Sequence, residues 1–240
     1  MSLLISTYVP EGIILAGDSR LTLSWNEQEP TTSIEKNFSI TATDTNTKVF
    51  LIKDKFGLGT FGTADINGIP ISGYINQFVE EKIDDETEID NIPEYLHNFF
   101  GDLHGKPQTH FYLVGYKIEN KISIPHVYLI DIKNTTTTRI NEASGTINFG
   151  ANWGGESEVM TRLLSEVTLN ENSLKSASIP FNFFTLQDAI DFSSYAIKTT
   201  IETFRFQQRI KTVGGPIDIL AITPNKVSWV QKKELYGNLS

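Results

Sequence analysis

The order in which apolar periodicity changes along this 240-residue chain limits its fold more than any other feature. Short apolar runs at 3–9, 12–18, 48–52 and 56–61 read as strands, the first two joined by a turn at Pro10-Glu11-Gly12. Two helices are then predicted in succession. Ile71, Ile75, Phe78, Val79 and Ile83 keep helical spacing over 68–83. After the acidic stretch 84–90, Pro93 suits a helix N-terminus, and Tyr95, Leu96, Phe99, Phe100 and Leu103 form the apolar face of the second helix. Strand patterns return at 109–117, 125–133, 137–141 and 145–149. A second helix pair is expected at 154–167, with Val159, Leu163, Leu164 and Val167 inward, and from the N-cap Thr185 to about Gln207. Closing strands fall at 217–223 and 226–230. Helices that arrive in pairs, and not one per strand, argue against a Rossmann-type parallel sheet. Two antiparallel sheets sandwiched between two helical layers satisfy the order.

No Pro/Gly/Ser linker divides the chain and no fixed-period repeat is visible, so residues 1–240 read as a single domain. The segment 24–46 is polar and reads as an inserted loop or irregular hairpin. A net charge of −9 argues against nucleic acid or an anionic membrane as the main partner. The absence of Cys excludes a thiol nucleophile, disulfides and Cys–zinc sites. With no basic n-region and no apolar run long enough to span a bilayer, the expectation is a soluble, cytoplasmic protein.

The chemistry-bearing residues cluster at the start. Ser2 follows the initiator Met, and removal of Met1 would leave Ser2 as an N-terminal nucleophile. An α-amine with an ordinary pKa of about 7.7–8.0 can act as base for its own hydroxyl. The apolar run Ile13-Ile14-Leu15-Ala16-Gly17 then delivers Asp18, a carboxylate that needs a partner if buried.

On these residues the chain resembles the proteasome β-subunit family, including its bacterial proteasome-like peptidase. Residues 1–18 can be laid on that peptidase without a gap, Ser2 standing where the family has its N-terminal Thr. Four further segments are similar to family elements, in the family's order, among them Phe111 to Ile132, which looks like its central hairpin. Lys48-Val49-Phe50-Leu51-Ile52 looks like the strand that carries its catalytic Lys, and 57–65 like its glycine-rich turn. The run Gly214-Gly215-Pro216-Ile217-Asp218-Ile219-Leu220 looks like its late glycine turn and strand. The resemblance implies an α+β fold, a four-layer αββα sandwich of two antiparallel sheets between helix pairs. It implies an N-terminal-nucleophile hydrolase of peptides or amides. Ser2 would be the nucleophile, Lys48 paired with Asp18 would tune it, and the Gly62 N–H would stabilise the oxyanion. No cofactor or metal is implied. A homo-oligomeric ring or stacked assembly is implied, with an ATP-dependent unfoldase as a further partner. Three positions depart from the family's pattern: Ala151, Ile210 and Val213 stand where polar residues support the N-terminal amine. The alternatives are a non-catalytic proteasome-like subunit acting in assembly or interaction, and an amidase of small molecules.

Other motifs fail. The run 150–157 nearly spells a P-loop, but Glu156 occupies the lysine position and would repel phosphate. There is no Gly-x-Ser-x-Gly elbow. His97 and His104 could share a helix face but lack a third metal ligand. Phe181, Phe183 and Phe184 are expected in the core or in a subunit contact.

Overall fold

A computed structural model describes residues 2–28, 35–103, 105–164, 167–169, 172–174 and 178–234. These form an α+β structure with two five-stranded antiparallel sheets and, among the described residues, four α-helices. The first sheet has the order Gly150–Gly155, Leu3–Val9, Gly12–Gly17, Asp218–Ile222, Val227–Gln231. The second has the order Thr136–Arg139, Ile122–Asp131, Thr109–Glu119, Phe56–Gly62, Val49–Ile52.

Leu3–Val9 is buried at every position and is mostly apolar, with Ser6 and Thr7 as its buried polar members. Its pleat sends Leu3, Ile5 and Val9 to one apolar cluster, and Leu4 and Tyr8 to another. The first cluster joins this sheet to α3 (Glu158–Leu164) and α4 (Leu186–Phe206) through Val159, Met160, Ala189, Ala196, Ile197 and Phe204. The second contains residues of both sheets: Leu4, Ile13, Leu15 and Leu220 against Val49, Tyr112, Val114 and Val127. A third joins the second sheet to α1 (Ile71–Lys82) and α2 (Ile92–Gly101) through Ile75, Phe78, Leu96 and Phe100.

The predicted helices over 68–83 and from Pro93 correspond to α1 and α2, and Pro93 sits in the first turn of α2. Part of the segment 24–46 forms a hairpin, in which Leu21–Gln28 pairs antiparallel with Glu35–Thr43. Two expectations are corrected. Residues 145–149 contribute only the two-residue partner Thr146–Ile147, and the strand of this region is Gly150–Gly155, paired to Leu3–Val9. The third helix therefore starts at Glu158, after Gly154 and Gly155, and its Leu163 is 49% exposed instead of inward. Gly154 stays in the strand because it lies opposite Leu4 and beneath the Phe61 ring, where an added Cβ would come within 2.4 Å. The Val167 side chain lies outside the described residues. Of the aromatic run, Phe184 packs on the α3/α4 cluster while Phe183 is 80% exposed. No described helix is long and apolar enough to cross a membrane.

The longest helix is fixed at its start by a reciprocal cap. Thr185 Oγ1 accepts from the Asp188 N–H at 3.2 Å, and Asp188 Oδ2 accepts from the Thr185 N–H at 2.8 Å. Midway, the buried Ser193 hydroxyl lies 2.8 Å from Thr7 Oγ1 and ties the helix to the N-terminal strand. Thr185→Ala is expected to lower stability by about 1 kcal/mol. In urea unfolding this appears as a lower midpoint with unchanged slope, and Thr185→Ser should recover most of it.

Candidate active site

Ser2 is held by the first sheet. Leu3 is registered against Gly155 on one side, and Leu4 against Gly17 on the other. The Ser2 carbonyl accepts the Glu156 N–H at 2.7 Å. Gly155 has φ +86°, and a Cβ there would lie 1.8 Å from the Ser2 carbonyl oxygen. The position excludes every other residue on both counts.

The strand Gly12–Gly17 ends at Asp18, whose side chain is closed from solvent. Its carboxylate accepts four bonds. Oδ1 takes the Leu3 N–H at 2.9 Å and the Lys48 ammonium at 2.6 Å. Oδ2 takes the backbone N–H groups of Arg20 at 3.1 Å and Gly214 at 3.0 Å. An ionised carboxylate offers about four lone-pair sites, so this one is saturated. Lys48 is equally enclosed, 2% exposed, just before the strand Val49–Ile52. Burial pushes its ammonium below the ordinary lysine value, Asp18 opposes that, and Lys233 and Arg20 push further down.

Ser2 and Lys48 line one small, largely enclosed cleft of about 10 Å³, together with Arg20, Thr22, Thr60 and Phe61. The Thr22 and Thr60 hydroxyls are buried and have no hydrogen-bond partner among the described residues. Arg20 forms a two-pronged pair with Asp44, Nε–Oδ1 at 2.6 Å and Nη2–Oδ2 at 2.8 Å, and donates to the Lys211 carbonyl at 3.2 Å. That pair raises the Arg20 pKa and lowers that of Asp44.

Of the four expected residues, the structure joins Asp18 to Lys48 and puts Ser2 in the same cleft. Gly62 stands between two lining residues, Phe61 and Thr63, and does not itself line the cleft. Its glycine identity has a reason internal to the chain. Its φ is +105°, and a Cβ would meet the Gln108 carbonyl oxygen at 2.4 Å. Met1 lies outside the described residues.

The positions read as lost polar support are revised. Ala151 is registered against Thr7, well along the strand from Ser2, so it is not the residue beside Ser2. Gly155 and Glu156 hold that place. Ile210 is half exposed and Val213 is core, so neither supplies a polar group. Glu156 and Thr212 were missed. The buried Glu156 carboxylate accepts Thr212 Oγ1 at 3.0 Å and Arg209 Nη2 at 2.9 Å. Arg209 also donates to Glu158 at 2.7 Å and stacks 3.9 Å over the Phe204 ring. The available signal was a charged residue at a Gly-Gly junction between strand and helix. His97 pairs with Thr137 Oγ1 at 2.9 Å, and His104 lies outside the described residues. No group of three metal-ligating side chains occurs among the described residues.

Asp18→Asn should cost about 3–5 kcal/mol, because it strands a buried ammonium. The double variant Asp18→Asn/Lys48→Met should lose clearly less than the sum of the two single variants, measured by denaturant unfolding. The sequence matches no protein-family model and no curated protein.

Proposed function

We propose that this chain is an N-terminal-nucleophile hydrolase of peptides or amides, of the proteasome-like class. The observation that carries the reading is the convergence of Ser2 with the enclosed Lys48–Asp18 pair at one cleft. The layering supports it too. Apolar clusters lie between α1/α2 and the second sheet, between the two sheets, and between the first sheet and α3/α4, as an αββα sandwich requires.

In this reading Met1 is removed and Ser2 becomes the first residue. Its α-amine takes the hydroxyl proton as Oγ attacks the substrate carbonyl. Lys48, fixed by Asp18, places positive charge beside the attacking oxygen and lowers the barrier to its deprotonation. The Gly62 N–H, next to the lining residues Phe61 and Thr63, stabilises the oxyanion. The amine then returns the proton to the leaving nitrogen, and water releases the acyl group from Ser2 by the same route. Glu156, whose N–H binds the Ser2 carbonyl, carries a charge held by Arg209 and Thr212, whereas Ile210 and Val213 carry none. The runner-up is a non-catalytic subunit with the same frame. It gains weight from the apolar side chains at Ile210 and Val213. A homo-oligomeric ring or stack, and an ATP-dependent unfoldase partner, belong to the proposed class and are carried with it.

The test is covalent labelling. A peptide epoxyketone, which needs both hydroxyl and amine, should modify Ser2 of protein made with its native start, as located by mass mapping. Ser2→Ala should abolish labelling and hydrolysis, and Ser2→Thr should keep both. Turnover should be slow, because poorly set proton transfer costs about 10²–10⁴-fold. No labelling of protein shown by intact mass to begin at Ser2 rejects the enzyme in favour of the non-catalytic subunit.

The two unpartnered threonine hydroxyls suggest which acyl groups fit. A small side chain that hydrogen-bonds, such as that of Ser or Asn, should be hydrolysed faster than Leu or Arg. The preference should fall on Thr60→Val, read as kcat/KM across a fluorogenic series.

A further inference from the structure

A second buried ion pair stands behind the first, and the proposed chemistry does not use it. Asp218 opens the strand Asp218–Ile222 and is registered against Gly17, the residue before Asp18. Leu220 and Ile222, two and four positions on, lie in the cluster between the sheets. The pleat turns Asp218 to that same side. There it shares a cleft lining with Val49, the neighbour of Lys48. The approach is close: a Cβ on Gly17 would lie 3.2 Å from Val49 Cγ2 and 3.7 Å from Lys48 Cβ.

Lys233, just beyond the strand Val227–Gln231, reaches Asp218 twice. Its backbone N–H donates to Oδ1 at 2.8 Å, and its ammonium donates to Oδ2. The two side chains are 6% and 3% exposed. A surface lysine near the end of a chain has no need of such a seat. Burying both charges costs several kcal/mol per ion before their attraction offsets it.

We propose that Lys233 is a positioning residue of the Ser2 site: paired with Asp218, it anchors the segment after the last strand against the strand that ends at Asp18, and it fixes the charge around Lys48. The catalytic consequence rests on the hydrolase reading, whereas the coupling of Lys233 to Lys48 stands apart from it. The charged groups around Lys48 are Asp18 in contact, Arg20 with Asp44 on one side, and Lys233 with Asp218 on the other. The positive charge of Lys233 favours loss of the Lys48 proton.

The experiment follows the Lys48 side chain by NMR of lysine-labelled protein across pH, its signal assigned with Lys48→Met. Lys233→Met removes a positive charge and should raise the Lys48 pKa. Asp218→Asn leaves Lys233 uncompensated and should lower the Lys48 pKa. The double variant should return it near the starting value, and Lys233→Arg should leave it unchanged. A purely structural role predicts a different pattern: loosening admits water and raises the Lys48 pKa in both single variants. Shifts of the same sign in the two, or no shift in either folded variant, overturn the proposal. Should Lys233→Met fail to fold, the sign in Asp218→Asn and the null effect of Lys233→Arg decide. The titration needs no turnover. Epoxyketone labelling of Ser2, read in parallel, therefore reports failure of the hydrolase reading separately.

Discussion

The Asp18 carboxylate is the point from which the rest of this molecule is arranged. Its four bonds gather the N-terminal residue pair, the turn after the second strand, the late glycine turn and a lysine from the other sheet. Three of the four donors are backbone N–H groups that would otherwise be buried without partners. Removing the carboxylate would thus orphan three peptide groups and an ammonium together. None of the four can be lost alone without cost, because each donor is wholly or partly buried and would be left without a partner. Because Leu3 is one of the donors, the position of Ser2 follows from the same carboxylate.

Much of this was legible in the sequence, for physical reasons. Strands buried on both faces, such as Leu3–Val9 and Gly12–Gly17, must be mostly apolar, any polar side chain finding a partner as Thr7 does in Ser193, and helices on a sheet must be apolar every third or fourth residue. A single Asp at the end of a buried strand then announces a partner, and Lys48 fulfils it. The misreadings fall where periodicity carries no information. Gly150–Gly155 has small or aromatic residues and no apolar alternation, so its strand was placed too early and α3 was extended over its glycines. Glu156 finds its partners 53 and 56 residues along the chain, at Arg209 and Thr212. Nothing in a local window reveals a contact of that reach. The Asp218–Lys233 pair was invisible for the same reason, although Asp218 stands in the late strand that was read correctly.

Two glycines show how the backbone, and not side-chain chemistry, shapes the cleft. Gly155 permits the strand to turn against the Ser2 carbonyl, and Gly62 permits the neighbouring strand to end against Gln108. Both positions pair positive φ with a contact under 2.5 Å for any added Cβ, so even alanine would require the strand ends to move.

The arrangement of buried charge bears on the choice between hydrolase and scaffold. Replacing a buried ion pair by well-packed apolar residues is often neutral or stabilising. A frame needed only for assembly would fold as well with leucine or methionine at these places. This chain instead encloses Lys48 with Asp18, and Lys233 with Asp218, along adjacent strands at one end of the inter-sheet core. It adds Glu156, Arg209 and Thr212 on the far side of Ser2. Packing alone gives no reason for so many enclosed charges. Proton transfer does, because its rate depends on the relative stability of neighbouring charged states, and fixed buried charges set those stabilities where water cannot screen them. The charge pattern therefore favours the proposed hydrolase, and the apolar Ile210 and Val213 favour the scaffold.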